Sequence, residues 1–593
     1  MRIKWFSLVR VTGLLLVLLY HFFKRQFPGG FIGVDVFFTF SGFLITALVI
    51  DEYSRSKAFD VLGFLKRRFY RIVPPLVLMV LVTVPLTFLV KPDFVADFGK
   101  QTAAALGFTT NLYEIFTGSS YESQFIPHLF VHTWSLAVEV HFYVIWALVM
   151  WFLSKKKLSP IKFRGMIFIV SAILFGLGFL SMFVRAFVTK NVSLIYYSTL
   201  SHSFAFYFGA MFAASSGISE VTHRFKRNSQ LWSLQRVILY FLVSFLLLGL
   251  LAVMLDFNQQ LTFLFGFLLA TLFAATMIYS ARVLHEKTPK AKEPLVVTFL
   301  SDISYGIYLF HWPFYIIFSQ LLPNWLAVLL TLIFSLVLSS LSFYLLEPFI
   351  AGKIPRILGV EVDLKPYWKA LVGLGAGLAV LLMGVITTAP KLGAFETDLL
   401  VNALKQSQTH LTRTHRVTAG DVDALSDVTI IGDSIALRSQ NAFMTLMPKA
   451  QLDAAVSRNF EDSFAIFDNH IKNNSLSQTV VVAVGVNSTS DYQAETQKYV
   501  KALPKGHRLV FVTPYNAKAL RDVEAVRDYE VALAEKYPYV EVADWYQAAI
   551  DHPNIWLATD GVHYSDTSTV GSELYVKTIQ QAVEKVAKQT AKD

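Results

Sequence analysis

Residues 369–388, KALVGLGAGLAVLLMGVITT, form the last stretch of this chain apolar enough to cross about 30 Å of hydrocarbon. What lies on its two sides belongs to different solvents. Upstream, similar apolar runs fall near 6–23, 32–50, 74–90, 135–153, 166–187, 195–215, 236–254, 261–279, 305–321 and 325–345, which makes about eleven predicted spans. Downstream, residues 389–426 are polar and lack sustained periodicity, which predicts a linker or stalk with a short helix near Thr397 to Gln406. Beyond it, β-rich runs (Val428 to Ile431, Gln451 to Val456, Thr479 to Val484, Arg508 to Thr513, Tyr539 to Val542) alternate with helical patterns near 435–447, 460–473, 490–503, 519–536 and 567–588. That alternation predicts a soluble α/β domain over 427–593 with a parallel sheet in a three-layer arrangement. The expected organisation is a membrane domain over 1–388, a linker over 389–426 and the α/β domain.

Composition agrees with this division. The 593 residues are 54% hydrophobic and 16% charged, far from a globular average. The net charge of +10 is not a nucleic-acid footprint, because it is unevenly spread. From Glu396 onward there are 19 Lys and Arg against 25 Asp and Glu, a net of −6; upstream the balance is 33 against 17, or +16. The basic residues gather in alternate loops, such as Arg55 to Arg71, Lys155 to Arg164 and Arg224 to Arg227, whereas Asp256-Phe257-Asn258-Gln259-Gln260 has none. Positive-inside logic then predicts a cytoplasmic N-terminus, and an odd span count places the C-terminal domain outside. Met1-Arg2-Ile3-Lys4 reads as the positive flank of an uncleaved first span. With no cysteine, disulfides, thiolate metal sites and cysteine nucleophiles are excluded, and no histidine spacing predicts a metal site.

Ionisable residues inside spans mark functional positions. Arg10 and His21 lie eleven residues apart, about three turns, so both face one way on a helix. Asp35, Glu139 and His141 fall toward the same ends of their spans, which predicts one cavity with His21 as base or acyl relay. Arg10…Tyr20-His21, Gly33-Val34-Asp35-Val36-Phe37-Phe38, Ser41-Gly42-Phe43, Arg67-Arg68-Phe69-Tyr70-Arg71, Trp134-Ser135-Leu136-Ala137-Val138-Glu139, Ser304-Tyr305…His311-Trp312-Pro313 and Glu347-Pro348 resemble, in order, the acyltransferase-3 family over about residues 5 to 350. The resemblance implies an acyl-CoA donor met from the cytoplasm, an essential His21 and a functional Arg10. Arg68 and Arg71 are candidates for the CoA phosphates, since a guanidinium fork suits that charge. Many members have Glu-Glu-Gln where this chain reads Glu139-Val140-His141.

In the α/β domain, Gly432-Asp433-Ser434 follows the first predicted strand and opens a helix, the place where parallel sheets carry their sites. Asp560 and His563 are three residues apart near the last helix, close enough for the carboxylate to orient an imidazole that takes the serine proton. The pattern resembles the SGNH (GDSL-type) hydrolases, which implies Ser434 as nucleophile, His563 as base, Asp560 as its partner and Asn487 as an oxyanion donor. The family's second-block glycine has no counterpart; Ala455-Val456-Ser457-Arg458-Asn459 stands there, with a backbone donor at Ser457.

The fused order resembles Gram-positive peptidoglycan O-acetyltransferases. That implies acetyl-CoA as donor without a metal, the lipid bilayer and a cell-wall glycan as partners, and no nucleic acid. The expected reaction carries acetyl through the membrane to Ser434 and then to O6 of N-acetylmuramic acid. Other readings are acetylation of N-acetylglucosamine or a teichoic acid, an exported carbohydrate esterase, and a non-enzymatic transporter or sensor.

Overall fold

The computed structural model describes residues 3–90, 92–117, 128–189, 191–357, 360–413, 425, 427–487, 489, 491–517, 519–556, 559–565 and 569–593, with backbone alone at 92, 93, 394–396 and 409–413. The chain forms two compact units, Met1–Lys391 and Leu392–Asp593.

In the first unit every apolar run is helical: α1 (Phe6–Phe22), α2 (Gly33–Ser56), α3 (Val61–Leu86), α4 (Trp134–Lys155), α5 (Pro160–Val188), α6 (Thr199–Ser216), α7 (Leu234–Met254), α8 (Phe267–Lys287), α9 (Leu295–Leu321), α10 (Asn324–Leu341) and α11 (Trp368–Thr388). Among the described residues, eight segments, on α2 to α5, α7, α8, α10 and α11, are long and apolar enough to span a bilayer, and α1 is apolar but shorter at 17 residues. The chain is a membrane protein. The two remaining helices, α6 and α9, carry the buried histidines His202 and His311, both 0% exposed.

Burial orders the helices from inside to outside. The span on α2 is 83% buried, against 22% for α5, 28% for α7 and 6% for α11, so α2 is central and the others present their Leu, Val and Phe to the periphery. A central helix must pack closely, and α2 meets α6 backbone to backbone. A methyl group on Gly42 would lie 1.9 Å from the Phe206 carbonyl oxygen, and one on Gly209 would lie 2.0 Å from that of Thr39. Small residues at a crossing are how membrane helices gain contact when lipid is as apolar as they are.

The second unit is built on a five-stranded parallel sheet of β1 (Val428–Gly432), β2 (Gln451–Ala454), β3 (Thr479–Ala483), β4 (Arg508–Val512) and β5 (Val540–Ala543), in the order β2-β1-β3-β4-β5. All five residues of β1 and of β3 are buried, as expected of strands covered on both faces. Gly432 pairs with Ala454 on one side and Ala483 on the other, so three strands end level where the order switches. Such a switch opens a crevice at the carboxyl ends. The helix expected over 435–447 is two, Ser434–Arg438 and Gln440–Leu446. They break at Ser439, whose hydroxyl donates to the Ile435 carbonyl and meets the Tyr564 hydroxyl at 2.6 Å.

The expected stalk is more structured than its composition predicts. A 20-residue helix, Ala394–Arg413, belongs to the second unit; residues 414–424 and 426 of the predicted linker lie outside the described residues. Its Leu399 is buried, and Asn402 donates to the Arg438 carbonyl. Gln406 both donates to the carbonyl and accepts from the N–H of Ala454 on the edge strand β2.

Candidate active sites

The strand-to-helix turn after β1 sets the site of the second unit. A side chain at Gly432 would fall 2.3 Å from Ala436 Cβ, so only glycine lets the chain turn this sharply into Ser434. Asp433 caps the new helix by accepting from the Ile435 N–H at 2.9 Å, which leaves Ser434 as the first helical residue. Ser434 Oγ is 2.8 Å from His563 Nε2, and His563 Nδ1 is 2.7 Å from Asp560 Oδ2. The other Asp560 oxygen accepts the backbone N–H groups of Val562 and His563, which fixes the carboxylate. An ionised carboxylate only accepts, so Nδ1 carries the hydrogen and Nε2 turns its lone pair toward the serine. Ser434, Asp560 and His563 are thus brought together as the sequence predicted.

Electrostatics separate the two carboxyl groups. Burial alone would raise Asp560, but hydrogen bonds and charge from His563, with the two backbone N–H groups, hold it below its usual range. Asp433 is buried beside Val484, Val486, Trp545 and Tyr575, and desolvation pushes it up to about 7 despite the Ile435 and Ala436 N–H groups. Asn487 donates to the Arg458 carbonyl at 3.2 Å. Arg458 in turn reaches the Gly432 carbonyl at 3.2 Å and Asp453 Oδ1 at 2.7 Å, so one arginine ties together three segments near the serine. Ser457 has φ +59°, a left-handed conformation that favours glycine.

In the membrane unit His21 finds a partner that the sequence reading did not assign. Its Nδ1 lies 2.8 Å from His311 Nε2 on α9, its ring is 5.0 Å from that of His311 in a stacked geometry, and the Trp312 ring stands 4.6 Å away edge-on. His21, Asp35, Glu139 and His141, expected to share one cavity, are each engaged by a different neighbour. Asp35, in the first turn of α2, faces His202 of α6 at 3.7 Å. Glu139 accepts from Tyr143 one turn along α4. His141, two residues and about 200° further round the same helix, meets Thr199 at 3.1 Å.

The three arginine candidates do converge. Arg10 is within electrostatic reach of Arg71, Glu139 and Tyr143, and Glu139 within reach of both Arg10 and Arg68. Arg71 is engaged: it pairs with Glu347 at 2.6 Å, donates to the Asp302 carbonyl at 3.0 Å and covers the Phe343 ring at 4.8 Å. Arg68 Nε is buried with no hydrogen-bond partner among the described residues. Two motifs quoted from the sequence, Arg67 to Arg71 and Glu347-Pro348, are therefore halves of one ion pair separated by 276 residues.

Residues 3–346, more than half of the chain, match the acyltransferase domain profile. The chain belongs to the acyltransferase-3 family. Its chemistry is acyl transfer, and its relatives extend over both units. It is 26% identical to O-acetyltransferase OatA of Staphylococcus aureus (strain MRSA252), over 96% of this chain and 95% of that protein. It is 24% identical to peptidoglycan O-acetyltransferase OatA of Listeria monocytogenes, over 97% of each. Among solved structures, the C-terminal catalytic domain of Streptococcus pneumoniae peptidoglycan O-acetyltransferase A, with a methylsulfonyl adduct, is 39% identical over 28% of this chain and 98% of that one, at a TM-score of 0.28. In this acyltransferase the partner residues to which the sequence assigned no role are His311, His202, Tyr143 and Glu347. Three of these four partners sit on helices distant in sequence from what they touch. Only the quoted motifs around His311 and Glu347 signalled them.

Proposed function

We propose that the enzyme is an O-acetyltransferase that moves acetyl from cytoplasmic acetyl-CoA across the membrane to Ser434, and then to O6 of N-acetylmuramic acid in peptidoglycan. The observation that carries this reading is the Ser434–His563–Asp560 relay in a compact unit joined to a membrane unit of acyltransferase family. In this reading all eleven helices cross the bilayer, the N-terminus is cytoplasmic and the second unit is extracellular. The names of the full-length relatives support the acyl group and the acceptor class.

Arg10, Arg68 and Arg71 hold the CoA phosphates, with the buried Arg68 Nε as a donor to give. His21 receives the acyl group or a proton at the membrane stage. At the outer site His563 Nε2 takes the Ser434 proton as Oγ attacks the acyl carbonyl, and Asp560 stabilises the resulting imidazolium. The Ser434 backbone N–H and the second N–H of the Asn487 amide, whose first is on Arg458, meet the oxyanion. His563 passes that proton to the group leaving the acyl carbon and is neutral again; it then takes the proton of the sugar hydroxyl as the sugar oxygen attacks the acyl carbon, and returns it to Ser434 Oγ as that oxygen departs.

The test is ester-linked acetate on purified wall peptidoglycan, resolved by sugar, in cells lacking the protein and in cells restored with wild type, Ser434→Ala or His21→Ala. Loss on deletion, restored by wild type alone and confined to N-acetylmuramic acid, is the expected result. A rise on deletion makes the protein an esterase, and loss from another sugar moves the acceptor.

A further inference from the structure

His311 Nδ1 lies 2.6 Å from the carbonyl oxygen of Tyr308 and 3.2 Å from that of Ile307. Carbonyl oxygens accept and never donate, so Nδ1 carries the hydrogen, and in the neutral ring Nε2 carries the lone pair. That lone pair meets His21 Nδ1 at 2.8 Å. His21 must then be the donor across this contact, which makes Nδ1–H its tautomer and Nε2 its basic nitrogen. We infer that His311 is a positioning residue that fixes the tautomer and ring plane of His21, so that Nε2 is the atom that reacts. The arrangement is to His21 what Asp560 is to His563 at the outer site, with a neutral imidazole in place of a carboxylate.

The surroundings hold the pair rigidly. His311 is 0% exposed within α9, in the turn before Pro313. The Trp312 indole donates to the His128 carbonyl at 3.1 Å, which fixes the ring that stands edge-on to His21. His132, whose ring centre is 5.8 Å from that of His311, is turned to the Leu309 carbonyl at 2.9 Å, so it does not compete for His311 Nε2.

The contact also handles charge. When Nε2 of His21 takes up a proton, its Nδ1 hydrogen can pass to His311 Nε2, and the positive charge is shared by two rings. When Nε2 instead attacks a thioester, the N–C bond forms as the C–S bond breaks and the thiolate leaves with the electron pair. The same Nδ1 transfer then leaves a neutral acylimidazole and a His311 imidazolium held by Tyr308. The acyl step rests on the proposed donor reading; the tautomer assignment does not.

Full-length protein in lipid nanodiscs with radiolabelled acetyl-CoA tests the inference. His311→Gln keeps an acceptor oxygen where Nε2 stands, His311→Asn keeps only a group at the Nδ1 place, and His311→Leu keeps neither. The expected result is that His311→Gln retains about a tenth or more of the wild-type kcat. His311→Asn and His311→Leu should each lose about 100-fold or more with donor KM little changed. Equal activity of the Gln and Asn variants, or a loss carried by KM, would overturn it. Ring-¹⁵N histidine spectra, with His21 assigned by difference against His21→Gln, read the tautomer directly: Nδ1–H supports the assignment and Nε2–H overturns it. If wild type moves no acetyl from acetyl-CoA, the donor reading fails while the nitrogen spectrum still decides the pairing.

Discussion

At the scale of single residues, two carboxyl groups beside Ser434 are shifted in opposite directions. Asp433 is raised to about 7 in the folded unit against 3.8 for the unfolded chain. Its contribution to stability is fully present below 3.8, is lost as pH rises, and is gone above about 7. The loss is on the order of 4 kcal/mol for one proton. Asp560 is lowered, so its contribution is present above 3.8 and lost as acid titrates the folded carboxylate. We expect the unfolding midpoint of residues 392–593 to fall between pH 4 and 7, and Asp433→Asn, which keeps the cap acceptor, to flatten that slope. Glu530, buried with neither carboxylate oxygen hydrogen-bonded among the described residues, is raised by burial and then by Asp544, and acts in the same sense. For catalysis, Asp560→Asn should lower acyl transfer about 10³–10⁴-fold in a radiolabel assay, because an amide N–H facing Nδ1 selects the wrong tautomer of His563. This site was legible because Asp560 and His563 are only three residues apart. His21 and His311 are separated by 290 residues, and no local spacing joins them.

At the scale of elements, the helix Ala394–Arg413 shows what hydrophobic periodicity misses. Leu399, Asn402 and Gln406 fall at i, i+3 and i+7, one face of a helix, and all three turn inward. Two of them are amides, so an apolar stripe never appears and the segment reads as a stalk. The Gln406 amide satisfies both main-chain groups of Ala454 on the edge strand β2, where open pairing invites association. Gln406→Ala should cost residues 392–593 about 1–3 kcal/mol in denaturant unfolding. The strands themselves were readable, because a parallel sheet covered on both faces needs unbroken runs of Val, Ile and Leu. In the membrane unit, Gly42→Ala or Gly209→Ala must push α2 and α6 apart against backbone oxygen. Either should lower the thermal stability of the detergent-solubilised protein, as overpacking of about 1–3 kcal/mol does elsewhere.

At the scale of the whole molecule, the charge split between the units makes a topology that can be read by labelling. The chain has no cysteine, so single cysteines report cleanly. A membrane-impermeant maleimide should reach Asn258→Cys in intact cells and Lys226→Cys only after lysis; both positions are exposed and lie at opposite ends of α7. The reverse pattern would place the second unit in the cytoplasm. The spacing of Ser434 and His563 has a further consequence, in the time over which the chain is made. His563 follows Ser434 by 129 residues. At about 5–20 residues per second a ribosome needs roughly 6–26 s to cover that interval. Throughout it the nascent chain carries Ser434 without His563. A product that ends between α11 and His563 keeps the membrane helices but lacks the histidine, so on the proposed mechanism such termination yields a silent protein rather than an uncoupled hydrolase.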